Sequence, residues 1–218
     1  MPDPGDSCQL PDGRPCASRV FVVLLAAGRS SRMGKTGASK LLAEFDGIAL
    51  VRRSAQVALG STADAVVVVT GHRRLEIEAA LEGMGIESVD NPLYESGMAT
   101  SLAAGVSRCR DRVADAILVM LADMPGLISD DLDQLIAAFR STDGEVVVRA
   151  MGAGRPGNPV IIPKSLFEAV AQLEGDAGAR RVIEASGLPV VQVEIGQAAL
   201  LDVDTPEAVR AAGGTLKA

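Results

Sequence analysis

Two short segments carry residue types that could do chemistry together. The first is Leu25-Ala26-Ala27-Gly28-Arg29-Ser30-Ser31-Arg32-Met33-Gly34, followed by Lys40. Small residues at 26–28 let a backbone approach a ligand closely and offer it amide donors. Arg29, Arg32, Lys35 and Lys40 place four cations within twelve residues. Amides to cradle oxygens and cations to offset charge are what a triphosphate requires. A glycine-containing surface turn with solvated charges is the plainer reading. The second segment is Ala122-Asp123-Met124-Pro125, just past an apolar run. A carboxylate there is a hard oxygen ligand of the kind Mg2+ takes together with phosphate oxygens, and Pro125 stiffens its turn. Asp123 could equally cap a following helix.

A second acidic group is Asp202-Val203-Asp204-Thr205-Pro206. In an extended chain, alternation puts Asp202 and Asp204 on one side, where either could complete a metal site with Asp123. The same residues read as a helix start, with Asp204 as acidic cap and Pro206 in the first turn. Gly28 and Gly34-Lys35-Thr36 nearly spell the phosphate loop of NTPases. Five residues separate the glycines where that loop has four, and this displaces the inward-pointing amides.

Apolar runs must position these segments. Val20 to Ala26, Ala65 to Thr70, Ala116 to Leu121, Val146 to Val148 and Val160 to Ile162 read as strands covered on both faces. Ile86 to Val89 and Val190 to Val193 are shorter candidates. Helical spacing falls in Arg73 to Met84, Asp130 to Phe139 with Ser129 as N-cap, Ser165 to Leu173, and Ala177 to Ala185. Such alternation predicts an α/β fold with a mostly parallel sheet and helices on both faces, with ligands bound beyond the strands' carboxyl ends. Residues 1–19 are polar and turn-rich, and a disordered tail is expected before one domain over 20–218.

Composition narrows the class. Of 218 residues, 48% are hydrophobic but only 2% aromatic, so the core must be aliphatic. The net charge of −7 disfavours a nucleic-acid partner. No apolar run approaches the ~20 residues of a membrane span. Cys8, Cys16 and Cys109 lack zinc spacing, and residues 1–19 lack the apolar core of a signal peptide. A cytoplasmic location and reduced thiols are expected. His72, the single histidine, follows a strand and reads as a loop residue satisfied by a neighbour; Tyr94 could stack on an acceptor ring or pack beneath its loop.

The ordered set resembles the MobA-like nucleotidyltransferases, and is most similar to the molybdenum cofactor cytidylyltransferases. The resemblance rests on Leu25–Gly28 with Arg32-Met33-Gly34 and Lys40-Leu41-Leu42, on Leu121–Pro125, and on Thr70-Gly71-His72. Asn91-Pro92 with Gly97-Met98 and Ser101-Leu102, Gly157-Asn158-Pro159-Val160, Gly175-Asp176 with Gly178-Ala179-Arg180, and Asp202–Pro206 continue it. It implies a Rossmann-like three-layer sandwich of the nucleotide-diphospho-sugar transferase type. It implies a Mg2+-dependent enzyme joining a nucleoside monophosphate to the terminal phosphate of molybdopterin, with release of pyrophosphate. Carried over by position, Leu25, Ala26, Ala27, Gly28, Arg29, Ser30, Arg32, Met33, Gly34 and Lys40 hold the nucleotide and its phosphates. Gly97, Met98 and Ser101 shape its base or ribose side, and Thr70 and Gly71 also bind the nucleotide. Arg32, Lys40 and Asp123 act in catalysis, and Asp123, with Asp202 and Asp204, holds the metal. Ala27, where guanylyl-transferring relatives carry glycine, points to CTP as donor. Departures are Lys35 to Ser39, which resemble a small insertion, and Asn158, where the family often has histidine. Guanylyl transfer, transfer to a sugar or isoprenoid phosphate, and a non-catalytic carrier serving a molybdoenzyme or chaperone partner are the alternatives.

Overall fold

The computed structural model describes residues 18–30, 33, 39–176 and 178–216. The expected tail over 1–17, with Cys8 and Cys16, lies outside them, as do Ser31, Arg32 and the segment 34–38.

The aliphatic runs pair into one sheet. β1 (Val20–Leu25) lies between β4 (Ala65–Thr70) and β6 (Ala116–Leu121), parallel to both. β5 (Glu87–Asp90) extends the parallel side. On the other side β8 (Arg155–Pro163) runs antiparallel to β6 and to β7 (Val147–Gly152), and β9 (Val190–Glu194) pairs parallel to β7. The order is β5-β4-β1-β6-β8-β7-β9. Four of the six pairings are thus parallel, and β8 supplies both exceptions. β2 (Glu44–Phe45) and β3 (Ile48–Ala49) form a separate small hairpin.

Alternation along each strand feeds two cores. Val20, Val22 and Leu24 face α1 (Leu50–Leu59), α2 (Arg74–Ala80) and α4 (Ser129–Arg140). Phe21 and Val23 face α3 (Met98–Asp111), α5 (Phe167–Ala171) and α6 (Arg180–Ser186). The expected three-layer α/β architecture is therefore present. α3 packs closely because Gly105 has no side chain; a Cβ there would lie 2.4 Å from Val23 Cγ1. Among the described residues no helix is long and apolar enough to cross a membrane.

Local expectations need several corrections. Ser129 is not the N-cap of α4. It is the first helical residue, its hydroxyl donates to the Val57 carbonyl, and the Asp131 carboxylate accepts the Ile128 N–H at 3.0 Å instead. Asp204 does not cap α7 (Pro206–Ala211). Thr205 does, its hydroxyl accepting the Ala208 N–H at 3.1 Å. The apolar pieces at 146–148 and 160–162 belong to one long hairpin, turned at Ala153-Gly154, both with positive φ. The expected helices at 73–84 and 177–185 begin at Arg74 and Arg180.

The α1–α2 crossovers lie on one face of the sheet and α3 returns across the other, so the chain direction switches between β1 and β6. At such a point the diverging loops leave a crevice at the carboxyl edge. The chemistry-bearing loops 26–30 and 122–125 both leave the sheet there.

Candidate active site

A cleft of about 620 Å³ opens at this edge. Its floor is made by Leu121 at the end of β6, Asp123 just beyond it and Leu25 at the end of β1; Ala27, Gly28, Arg29 and Ser30 form one wall. The loop is pinned from behind. Ala26 N–H donates to the Val69 carbonyl at 2.9 Å, and His72 N–H to the Ala27 carbonyl at 3.2 Å. This holds Gly28 forward, where a side chain would meet nothing within 4 Å. Ser30 has φ of +51°, and its buried hydroxyl finds no hydrogen-bond partner among the described residues.

Lys40, on a 3-10 turn over Lys40–Leu42, reaches the acidic floor. Its Nζ lies 2.6 Å from Asp123 Oδ2 and also bonds Asp204 Oδ1. Asp202, Asp204 and Asp123 each offer one oxygen within 4.8 Å of the other two. The 202–204 segment is aimed by its middle residue. Val203 is fully buried beside Met33, Phe45, Leu50 and Val209, and its N–H donates to the Asp123 carbonyl at 3.0 Å. With Val203 turned inward, its two acidic neighbours face the cleft, as alternation required.

The charges are strongly coupled. Burial lowers the Lys40 ammonium pKa, but Asp123 and Asp204 outweigh it and hold the pKa above its usual value. Burial pushes the Asp123 carboxyl pKa up; Lys40 opposes this, Asp202 and Asp204 add to the rise, and the result is upward. Asp123 Oδ1 is buried without a hydrogen-bond partner among the described residues. Three hard oxygen donors, one of them buried and unsatisfied, fit a divalent cation such as Mg2+.

The far wall comes from α3 and the turns around it. Gly97, with φ of +108°, starts α3, and a Cβ there would lie 2.3 Å from the Gly175 carbonyl carbon. That approach lets the Gly175 carbonyl accept the Ala99 N–H at 3.1 Å and brings Asp176 into the cleft. Met98 and Ser101 line it, and Ser101 is held by the buried Asn91 amide, which donates at 2.9 Å. Tyr94 and Glu95 close the rim, Glu95 standing 3.5 Å from Arg29.

The fold thus gathers Leu25, Ala27, Gly28, Arg29, Ser30, Lys40, Gly97, Met98, Ser101, Asp123, Asp202 and Asp204 around one cleft. Ala26, Met33, Thr70 and Gly71 stand behind that lining. Met33 is core, Thr70 is fully buried, and Gly71 is wedged so that a Cβ would lie 2.8 Å from Tyr94 Cβ and 2.9 Å from Ala27 Cβ. Arg32, Gly34 and Lys35 lie outside the described residues. Leu41, Glu95, Leu121 and Asp176 were not foreseen in the lining. Leu41, Leu121 and Asp176 lie inside quoted motifs, and Glu95 is signalled only by adjacency to Tyr94.

Residues 22–190 match the MobA-like NTP transferase domain. The chain belongs to this family. Among MobA-like relatives, it is 33% identical over 198 residues to the purine catabolism protein PucB of Bacillus subtilis strain 168, covering 85% of this chain and 91% of that one. It is 33% identical to the nicotine blue oxidoreductase of Paenarthrobacter nicotinovorans, covering 76% and 80% of the two chains. The crystal structure of the Mycobacterium tuberculosis Rv0371c homologue from Mycobacterium sp. strain JC1 superposes with a TM-score of 0.76 at 28% identity, over 91% of this chain and 97% of that one. Membership of the MobA-like family supports nucleotidyl transfer as the class of reaction.

Proposed function

We propose that this enzyme transfers a cytidylyl group from CTP to the terminal phosphate of a molybdopterin-type acceptor. The observation that carries the reading is the floor of the cleft. Three carboxylates and Lys40 meet there, in the same cleft as a small-residue loop bearing Arg29 and Ser30.

In the reaction an acceptor phosphate oxygen attacks the α-phosphorus, a new P–O bond forms, and the bond to the β-phosphate bridge breaks. The electron pair leaves with pyrophosphate. The attacking oxygen is already anionic, so no general base is needed, and positioning with charge stabilisation dominates. The amides of Gly28, Arg29 and Ser30 and the Arg29 side chain receive the triphosphate. Lys40 is in reach of the same phosphates once it leaves its carboxylates. Asp123, with Asp202 and Asp204, would hold a Mg2+ ion, which supplies neutralisation of phosphate charge. Nothing asks a proton of His72, whose ring lies 5.9 Å from that of Tyr94 at the rim. For the donor base, Ala27 supports CTP. It stands where guanylyl-transferring relatives carry glycine, and its methyl is buried beside Gly71 at the back of the cleft wall.

Pyrophosphate release is the direct test, run with Mg2+, molybdenum cofactor and CTP, GTP, ATP or UTP in parallel. Acceptor-dependent release with CTP alone is expected, together with a loss of roughly a hundredfold or more in Asp123→Ala. A preference for GTP would keep the reaction and overturn the base. Retained turnover in Asp123→Ala would sink the assignment of the carboxylate.

A further inference from the structure

Arg149 stands on the antiparallel side of the sheet, outside the cleft lining. Position 149 is on β7, between β8 and β9, and faces the same side as Val147 and Val160, which are both buried. An aliphatic residue would suit that place. Instead it holds a half-buried guanidinium whose Nε donates to the Gly157 carbonyl at 3.3 Å and which forms no ion pair among the described residues. The charges that face it are Arg180 and Glu184, and Glu184 is already bonded to Arg180 at 2.7 Å. Burial, then Arg180, press the Arg149 pKa below its usual value. A cation withdrawn from water beside another cation is costly unless an anion joins them.

The place relates directly to the cleft. Arg180 starts α6, four residues after Asp176, which lines the far wall of the cleft. Arg149 pairs with Val160, which pairs with Val119 on β6, the strand that ends at Leu121 two residues before Asp123. Two strand spacings of roughly 4.8 Å put it about 10 Å across the sheet from β6. We propose that Arg149, helped by Arg180, binds an anionic group of the acceptor about 10 Å or more from the phosphate that reacts. The acceptor is then a long molecule with negative charge at both ends. This rests on the transferase reading for its catalytic meaning but not for its binding test.

Inorganic phosphate serves as the probe, titrated calorimetrically into the protein saturated with Mg2+ and CTP. Wild type should bind it, Arg149→Met should bind it about tenfold or more weakly, and Arg149→Lys should recover part of the loss. Methionine among Val147 and Val160 should keep the fold, which an unchanged or higher Tm confirms. In turnover, Arg149→Met should raise KM for molybdenum cofactor and leave KM for CTP unchanged. Equal phosphate binding by wild type and Arg149→Met, or none by wild type, would overturn the subsite. Repeating the comparison without nucleotide separates the two readings: failure of CTP to bind removes the donor assignment and leaves the Arg149 result standing.

Discussion

Lys40 occupies ground that a divalent cation would share. Its ammonium is bonded to two of the three carboxylates, so one positive charge holds together a group that would otherwise carry three negative ones. Breaking a buried pair by removing one partner is strongly destabilising, about 3–5 kcal/mol, because the other charge is left uncompensated. Lys40→Met should therefore lower Tm in metal-free buffer and recover most of it when Mn2+ is added. It should also bind Mn2+ about tenfold or more tightly without nucleotide, since the ion no longer displaces an ammonium. Electron paramagnetic resonance of free Mn2+ measures this without any turnover. Unchanged Mn2+ affinity would show that lysine and metal do not compete. The sequence made both partners visible as candidates, Lys40 near the small-residue loop and Asp123 past a strand. The contact of Lys40 with Asp204 spans 164 residues and depends on the burial of Val203 and the packing of α7. No local pattern reports such a contact.

At the scale of elements, helix-to-sheet distance sets how the cleft is walled. α3 approaches β1 and β4 over Gly105, and its first residues Met98 and Ser101 are part of the lining. Gly105→Ala adds a methyl 2.4 Å from the stiff side chain of Val23 and 3.2 Å from Val69. Alanine favours the helix by roughly 0.8–1 kcal/mol, but overpacking costs about 1–3 kcal/mol. A net fall in Tm is expected, and Val23→Ala in the same chain should return part of it. Thermal melts of the two single variants and the double variant read the coupling; strict additivity would mean that the contact is not felt. β1, β4 and β6 were legible because burial on both faces makes each a continuous aliphatic run. α1 was not, because it buries Ser54, Ala55 and Ala58 beside only two large residues, and small residues blur the helical period. The β7–β8 hairpin was hidden as well. Its turn is Ala153-Gly154, the pairing shifts between Arg149 and Met151, and Arg155-Pro156-Gly157-Asn158-Pro159 reads as loop although it is strand.

Across the whole molecule the cleft lies where two halves of the sheet meet. β5, β4, β1 and β6 are parallel and carry the small-residue loop; β8, β7 and β9 carry Arg149 and adjoin the turn that bears Asp176. The C-terminal segment fastens to neither half alone. Thr215 bridges to Glu44 on β2, and α7 packs with Phe45 and Leu50, which brings Asp202 and Asp204 to the edge of β6. A ligand filling the cleft therefore contacts segments from the first strand to the last turn, and it should stabilise the fold as a unit. Binding adds RT ln(1 + [L]/Kd), about 2.7 kcal/mol at a hundred times Kd, which for a chain of this size is roughly 5–10 °C in Tm. Mg2+ with CTP should produce that shift, while CTP with EDTA should fall well short of it. The acidic body repels a free triphosphate, and Lys40 alone is already committed to Asp123 and Asp204. A melt series with each nucleotide, with and without metal, makes the measurement. An equal shift with EDTA would show that the carboxylate cluster takes no part in holding the donor, and the cations of the loop would then have to carry the triphosphate by themselves.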